Sequence, residues 1–246
     1  MTKNARKIAI QNAKVNKVLL FSGGLDSFCY SYLCTPDILL YLDNGSKYSK
    51  IEIENIKQLA ETSNLSEKLK IVRTKDMGYL EQQNAIIENR NLFFILEGAF
   101  WGEEIILGAT AGDGSKDKDT IFFDLLSRTI SYSMGKPMKV HAPFIHLTKA
   151  EIIAAYINDG GNVEYLKNVY SCYQGHPVQC GKCKPCVRNA IAFRINKIGT
   201  KDIYAFDIFQ NEKTKVEYCK KVCFSSLGTK RNREGKEIER FLCEEL

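Results

Sequence analysis

The stretch LLFSGGLDSFCY, Leu19 to Tyr30, decides how this chain is read. An apolar run of strand length ends in two glycines, and a second semi-apolar run follows at once. Gly23 and Gly24 admit positive φ and leave no Cβ in the way. Successive backbone N–H groups can therefore close into a nest for phosphate oxygens, with the next helix adding its N-terminal dipole. Ser22 and Ser27 supply hydroxyls, and Asp26 is placed either to cap that helix or to hold a Mg²⁺ water. A plain strand-to-helix turn is the competing reading of two glycines taken alone. The lysine of the ordinary P-loop is missing.

Outward from this loop, short apolar runs alternate with longer amphipathic ones. KVLLF (17–21), DILLYL (37–42), KLKIVR (68–73), EIILGA (104–109) and KVHAPF (139–144) have strand length and are bounded by breakers. Helices are predicted near 25–34, 51–62, 85–101 and 120–134. In HLTKAEIIAAYI, Thr148 followed by Glu151 forms a capping-box signature for a further helix start. This order predicts an α/β fold, a doubly wound parallel sheet covered by helices on both faces. Ligands of such sheets bind at the carboxyl ends of the strands, which is where SGGLDS falls. The expected organisation is a basic arm (1–16), a nucleotide-binding α/β domain (17–165), a metal-binding helical segment (166–196) and an extension (197–246).

The 246 residues, 44% hydrophobic, suffice for one substantial core. A formal charge of +6 suits anionic ligands such as ATP and does not by itself imply nucleic acid. No run approaches the ~20 apolar residues of a membrane span. Lys3, Arg6, Lys7 and Lys14 with no acid among them read as a solvated arm and not as a secretory signal. Nine cysteines without an export signal point to thiols or metal ligands in a reducing, cytoplasmic compartment.

Four of those cysteines cluster in SCYQGHPVQCGKCKPC, with Cys172, Cys180, Cys183 and Cys186 spaced C-x7-C-x2-C-x2-C. Four thiolates in tight knuckles suit a closed tetrahedral Zn²⁺ shell. An iron–sulfur cluster is the rival, because C-x2-C-x2-C also occurs in ferredoxins. Gly181 relieves the turn between ligands, Lys182, Lys184 and Arg188 offset the negative charge, and His176 reads as a surface loop residue. Cys29 and Cys34 read as packed thiols on the first helix, Cys219 and Cys223 as structural, and Cys243 as a tail residue.

The hexapeptide SGGLDS resembles the SGGxDS pyrophosphate loop of the ATP-pyrophosphatase superfamily, whose members activate a carbonyl or carboxylate as its adenylate. The missing lysine suits a loop that cradles leaving pyrophosphate, where a P-loop lysine serves γ-phosphoryl transfer. Loop and cysteine cluster together, in this order, resemble the 7-cyano-7-deazaguanine synthase family of queuosine precursor synthesis. The similarity extends through ENRN (Arg90, Asn91), LGATAGDGS (Asp113, Ser115), HAPFIHLTKAEI (141–152) and the cysteine motif as far as Ala192 and Phe193. That resemblance implies an adenine nucleotide alpha-hydrolase-like fold and an ATP-dependent carbon–nitrogen ligase. Such an enzyme turns 7-carboxy-7-deazaguanine into the amide and then the nitrile with ammonia, releasing AMP and pyrophosphate. It implies ATP and Mg²⁺ at Ser22, Gly23, Gly24, Leu25, Asp26 and Ser27, and Zn²⁺ at the four cysteines. Ser22, Asp26, Arg90 and Lys149 would serve catalysis, the last two facing ATP phosphates. Asp113 would recognise the base, a carboxylate being apt for a guanine-like N1–H and 2-amino group, with Ser115 and Asp119 beside it.

The chain departs from the family where GDGSKDKDTIFF follows the aspartate and where DNGS (43–46) stands for the family's DYGQ. Residues 197–246 have no family counterpart. Adenylation and amide formation are therefore better supported than nitrile formation. Three alternatives stand beside this reading. One is a relative of the antiphage-defence kind that ligates the deazaguanine to a protein or other macromolecular amine. The others are a tRNA thiolation enzyme and a nucleotide-sensing zinc module without turnover. The implied partners are a small deazaguanine and ammonia, with a protein acceptor and a homodimer left open. Membranes are excluded and nucleic acid is not favoured.

Overall fold

The computed structural model describes residues 16–82, 87–207, 209 and 232–244. The basic arm expected over 1–16 lies outside the described residues apart from Asn16, as do Cys219 and Cys223.

Five strands, β1 (Lys17–Leu20), β2 (Ile38–Asp43), β3 (Leu69–Arg73), β4 (Glu104–Ile106) and β5 (Lys139–His141), form one sheet in the order β3-β2-β1-β4-β5. Every neighbouring pair is parallel. Each predicted strand is present, and the last two stop after three residues. The helices are α1 (Leu25–Leu33), α2 (Ser49–Thr62), α3 (Arg90–Gly98), α4 (Thr120–Met134), α5 (Lys149–Asn158), α6 (Val163–Lys167), α7 (Lys184–Ile195) and α8 (Asn232–Glu244). The helix expected over 85–101 is described as Arg90–Gly98, and residues 83–86 lie outside the described set.

Alternation of side chains along the central strands divides the core in two. Leu19, Phe21, Leu39 and Tyr41 pack on one face with Phe28 of α1, Ile56 and Leu59 of α2, Ile153 and Tyr156 of α5 and Phe193 of α7. Val18, Leu20, Leu40 and Leu42 pack on the other with Ile95 of α3 and Phe123, Leu126 and Ile130 of α4. Strands buried on both faces explain why their sequences read as continuous apolar runs. Each fully buried Leu or Phe contributes ~1.5–3 kcal/mol relative to exposure.

Two local devices fix the site edge. The Thr148 hydroxyl accepts from the Glu151 N–H at 3.2 Å and the Glu151 carboxylate accepts from the Thr148 N–H at 2.9 Å, the capping box the sequence predicts. It starts α5 at Lys149, so that residue's position is set by the cap. Tyr30, buried in α1, donates its hydroxyl proton to the Ala109 carbonyl at 2.7 Å and accepts from the Phe144 N–H at 3.2 Å. α1 is thereby tied to the chain leaving β4 and β5. The strand order reverses on either side of β1, and the crevice at that switch point lies at the carboxyl ends.

Candidate functional site

A cleft of about 250 Å³ opens at that edge. It is lined from the ends of β1 (Phe21 to Ser27, without Gly23), β2 (Asn44, Ser46) and β4 (Leu107, Gly108). Tyr48, Glu52, Arg90, Asn91, Asp113, Lys118, Lys149, Tyr170, Ser171, Tyr173 and Arg188 supply most of its polar wall.

The glycine loop closes on its own hydroxyls. Ser22 Oγ and Ser27 Oγ share a hydrogen bond at 3.2 Å, and Ser27 Oγ donates to the Gly24 carbonyl at 3.0 Å. Only the first glycine uses positive φ (+68°), with its missing Cβ facing Ile56. Gly24 is extended (φ −77°, ψ 167°), so of the two glycines that admit positive φ only Gly23 uses it. The second glycine instead faces the cleft, with Ser171 Oγ 3.0 Å from where a Cβ would stand. Nor does Asp26 cap α1: Gly24 is the N-cap, and Asp26 sits in the first turn. Both its oxygens accept from Lys149 Nζ, at 2.6 and 2.7 Å. The fold thus brings a buried ammonium against the glycine loop, although α5 comes much later in the chain. Arg90 Nη1 lies 3.4 Å from the Tyr48 hydroxyl on the cleft wall.

Asp113 lines the opposite part of the cleft. Its Oδ2 accepts from the Thr110 N–H at 3.0 Å and from Lys118 Nζ at 3.4 Å, and its Oδ1 faces Arg188 Nη1 at 3.4 Å. Burial pushes this carboxyl up, but Lys118, Arg188 and Lys149 overcome that and hold it well below the usual carboxylate range. These cations favour the carboxylate form of Asp113, which is competent to accept from paired N–H donors. Ser115 and Asp119 are not brought to the cleft. Ser115 is exposed, and Asp119 caps α4 by accepting from the Phe122 N–H at 2.8 Å. Glu52, on the side near β2, receives the Tyr41 hydroxyl at 2.8 Å, and burial pushes its carboxyl up to about 7.

The four motif cysteines converge, their sulfurs all within 4.8 Å of one another. Cys183 Sγ lies 3.3 Å from Cys186 Sγ and 4.0 Å from Cys172 Sγ. A tetrahedral ion with metal–sulfur bonds of ~2.3 Å sets sulfur–sulfur edges of ~3.8 Å, so this donor set fits one metal ion. Backbone N–H groups of Gln174 and Cys180 point at Cys172 Sγ, and those of Lys182 and Cys183 at Cys180 Sγ. They disperse thiolate charge within the knuckles. Gly181 has φ +73°, and a Cβ there would meet the Phe206 carbonyl at 1.9 Å, so the glycine is required by the turn. Lys182 lies over the Phe206 ring at 4.4 Å. Arg188 turns away from the thiolates, towards Asp113 and Glu234, which corrects its expected charge-offsetting role. The cluster also braces the cleft: the Tyr170 N–H donates to the Gly23 carbonyl at 3.2 Å, and Gln179 ties Ser171 to Val169. Cys29 is buried in α1, Cys34 ends that helix, and Cys243 falls within α8.

Sequence reasoning did not single out Lys118, Asn44, Glu52, Tyr48 or Glu234. Lys118 stands in the segment that departs from the family. For Glu234, far from every motif, no local signal exists.

A parallel sheet with a glycine loop at its switch point, a cation-lined cleft and an appended four-cysteine group defines an α/β protein with a candidate ligand site at its sheet edge and a cysteine cluster compatible with metal binding. More narrowly, residues 37–197 match the family model described as Queuosine biosynthesis protein QueC, and the chain belongs to that family. The match begins after the glycine loop and ends before α8. A 7-cyano-7-deazaguanine synthase of Hahella chejuensis is 27% identical over 73% of this chain and 88% of its own length. Another, of Methanosarcina mazei, is 36% identical over 47% of this chain and 44% of its own length. Among solved structures, the U34-tRNA thiolase NcsA from Methanococcus maripaludis with its [4Fe-4S] cluster aligns at TM-score 0.40 and 15% identity, covering 91% of this chain and 87% of that one. A likeness at that level carries no functional implication. Among the described residues no helix is long and apolar enough to cross a membrane.

Proposed function

We propose that this chain is an ATP-dependent ligase that adenylates 7-carboxy-7-deazaguanine and lets ammonia displace AMP, giving the amide and then the nitrile. The observation that carries this reading is the joining, in one cleft, of the loop Ser22 to Ser27, the cations Arg90, Lys118 and Lys149, and the half-buried carboxylate Asp113. Membership of the QueC family supports the substrate class.

ATP would lie with its phosphates against the Ser22–Ser27 hydroxyls and amides, and Lys149 and Arg90 would neutralise the pyrophosphate as it leaves. Asp26 would share its carboxylate between Lys149 and a Mg²⁺ water. Asp113 would accept from N1–H and the 2-amino group, orienting the base so that its carboxylate meets the α-phosphate. No side-chain nucleophile is required. Zn²⁺ is proposed for the four cysteines, where it would hold the Tyr170–Ser171 wall in place, and sulfurs gathered this closely favour a single ion over a cubane cluster.

The test is incubation with 7-carboxy-7-deazaguanine, MgATP and ammonium, with AMP counted per base consumed and products identified by mass spectrometry. Two AMP and a nitrile support the whole reaction. One AMP with amide restricts it to the first half. Transfer to an added protein amine would replace ammonia as acceptor. AMP formed only with tRNA and a sulfur donor would overturn the assignment.

A further inference from the structure

α8 lies outside the family-matched residues 37–197, yet it reaches the substrate end of the cleft. Its Glu234 is 2% exposed. Both carboxylate oxygens engage Arg188, Oε1 accepting from Nε at 2.8 Å and Oε2 from Nη2 at 2.5 Å. Arg188 itself lines the cleft, gives Nη2 also to Thr110 Oγ1 at 3.1 Å, and among the described residues meets Asp113 through Nη1 at a long 3.4 Å. Gly112 makes room for the pair, since a Cβ there would stand 1.1 Å from Glu234 Oε2. α8 is held independently of this pair. Thr148 Oγ1 donates to Glu237 at 2.9 Å, Arg233 donates to the His146 carbonyl and to Glu151, and Ile238 packs on Val187, Ala190 and Ile191 of α7.

We infer that Glu234 is a positioning residue for base recognition: by taking the Nε–Nη2 edge of Arg188, it keeps that guanidinium from closing on Asp113. An arginine forks readily onto a neighbouring carboxylate. Released from Glu234, Arg188 would swing its free edge onto Asp113 and occupy the oxygens needed by the base. The consequence falls first on the deazaguanine, because Arg188 Nη1 already faces Asp113 at 3.4 Å, whereas both Asp26 oxygens are held by Lys149 Nζ at 2.6 and 2.7 Å. This inference rests on the proposed role of Asp113 in binding the base.

The experiment measures binding of 7-carboxy-7-deazaguanine and of ATP to the full chain by calorimetry, together with KM for each in pyrophosphate release. Glu234→Gln should weaken the base ~10- to 100-fold, the range for a lost charge-assisted contact, with ATP affinity unchanged. Gly112→Ala, which dislodges the same pair from the other side, should do likewise and serves if Glu234→Gln does not fold. Glu237→Ala, which removes the acceptor of the Thr148 hydroxyl and loosens α8 without touching Arg188, should leave base affinity as in the parent. Equal losses for base and ATP, or the same loss in Glu237→Ala, would overturn the inference by assigning the effect to helix docking. Unchanged base affinity in both Glu234→Gln and Gly112→Ala would overturn it alone. A parent chain that binds ATP and no deazaguanine would overturn the functional reading and this inference with it.

Discussion

Replacing each loop glycine by alanine separates what holds the loop from what the loop does. Gly23 has φ +68°, and its added Cβ would stand 2.5 Å from Ile56 Cγ1. Ile56 is 1% exposed, packed among the first core cluster, and cannot yield without opening that core. The left-handed backbone costs about 1–2 kcal/mol for an L-residue. Overpacking adds about 1–3 kcal/mol. The expected loss for Gly23→Ala is therefore about 2–5 kcal/mol, or a fall in Tm of roughly 4–20 °C for a chain of this size. Gly24 is already in a conformation alanine adopts, and its nearest neighbour is the Ser171 hydroxyl at 3.0 Å, which can rotate. Gly24→Ala should stay within about 1 kcal/mol of the parent. Its methyl would project into the cleft, where backbone amides approach phosphate, and pyrophosphate release should fall on the order of 100-fold. Thermal unfolding and pyrophosphate release, measured on both variants, give the answer. An unchanged Tm for Gly23→Ala would refute the backbone argument, and undiminished release by Gly24→Ala would refute the phosphate-nest assignment.

The cysteine cluster should carry one Zn²⁺ per chain by elemental analysis, and Cys183→Ser should lose it together with cleft integrity, because binding a structural metal is largely folding free energy. Stoichiometric iron with a visible charge-transfer band would overturn the zinc assignment. Glu52, pushed up to about 7 by burial, should make stability pH-dependent. Its folded pKa lies above the unfolded one, so the contribution is full below pH ~4.5 and falls by up to about 3 kcal/mol as pH rises through ~7. Chemical denaturation across that window should show the slope in the parent and a flatter profile in Glu52→Gln, and equal slopes would exclude Glu52 as the source. Asp119→Ala removes the α4 cap and should cost about 1 kcal/mol of stability. A selective loss of base affinity in that variant would instead restore the substrate role read from its sequence position.

Features encoded between near neighbours were legible without a structure. The strand–glycine–helix unit at 17–33, the capping box of Thr148 and Glu151, and the C-x7-C-x2-C-x2-C knuckle each follow from spacing and residue type, because backbone sterics, capping and metal geometry act over a few residues. The period of the apolar runs also sufficed for the order of the five strands and of the helices between them, but not for the helices Val163–Lys167 and Asn232–Glu244. Which glycine takes positive φ did not follow, since it depends on where Ile56 of α2 packs. The partners of the charged residues were equally hidden. Lys149 meets Asp26 across 123 positions, Arg188 meets Asp113 across 75, and Glu234 meets Arg188 across 46. A buried charge requires an opposite charge with good geometry, but nothing in its local sequence names which one. Only the winding of α5, α7 and α8 onto the sheet edge made that choice, and it turned Arg188 from the cysteines towards the cleft.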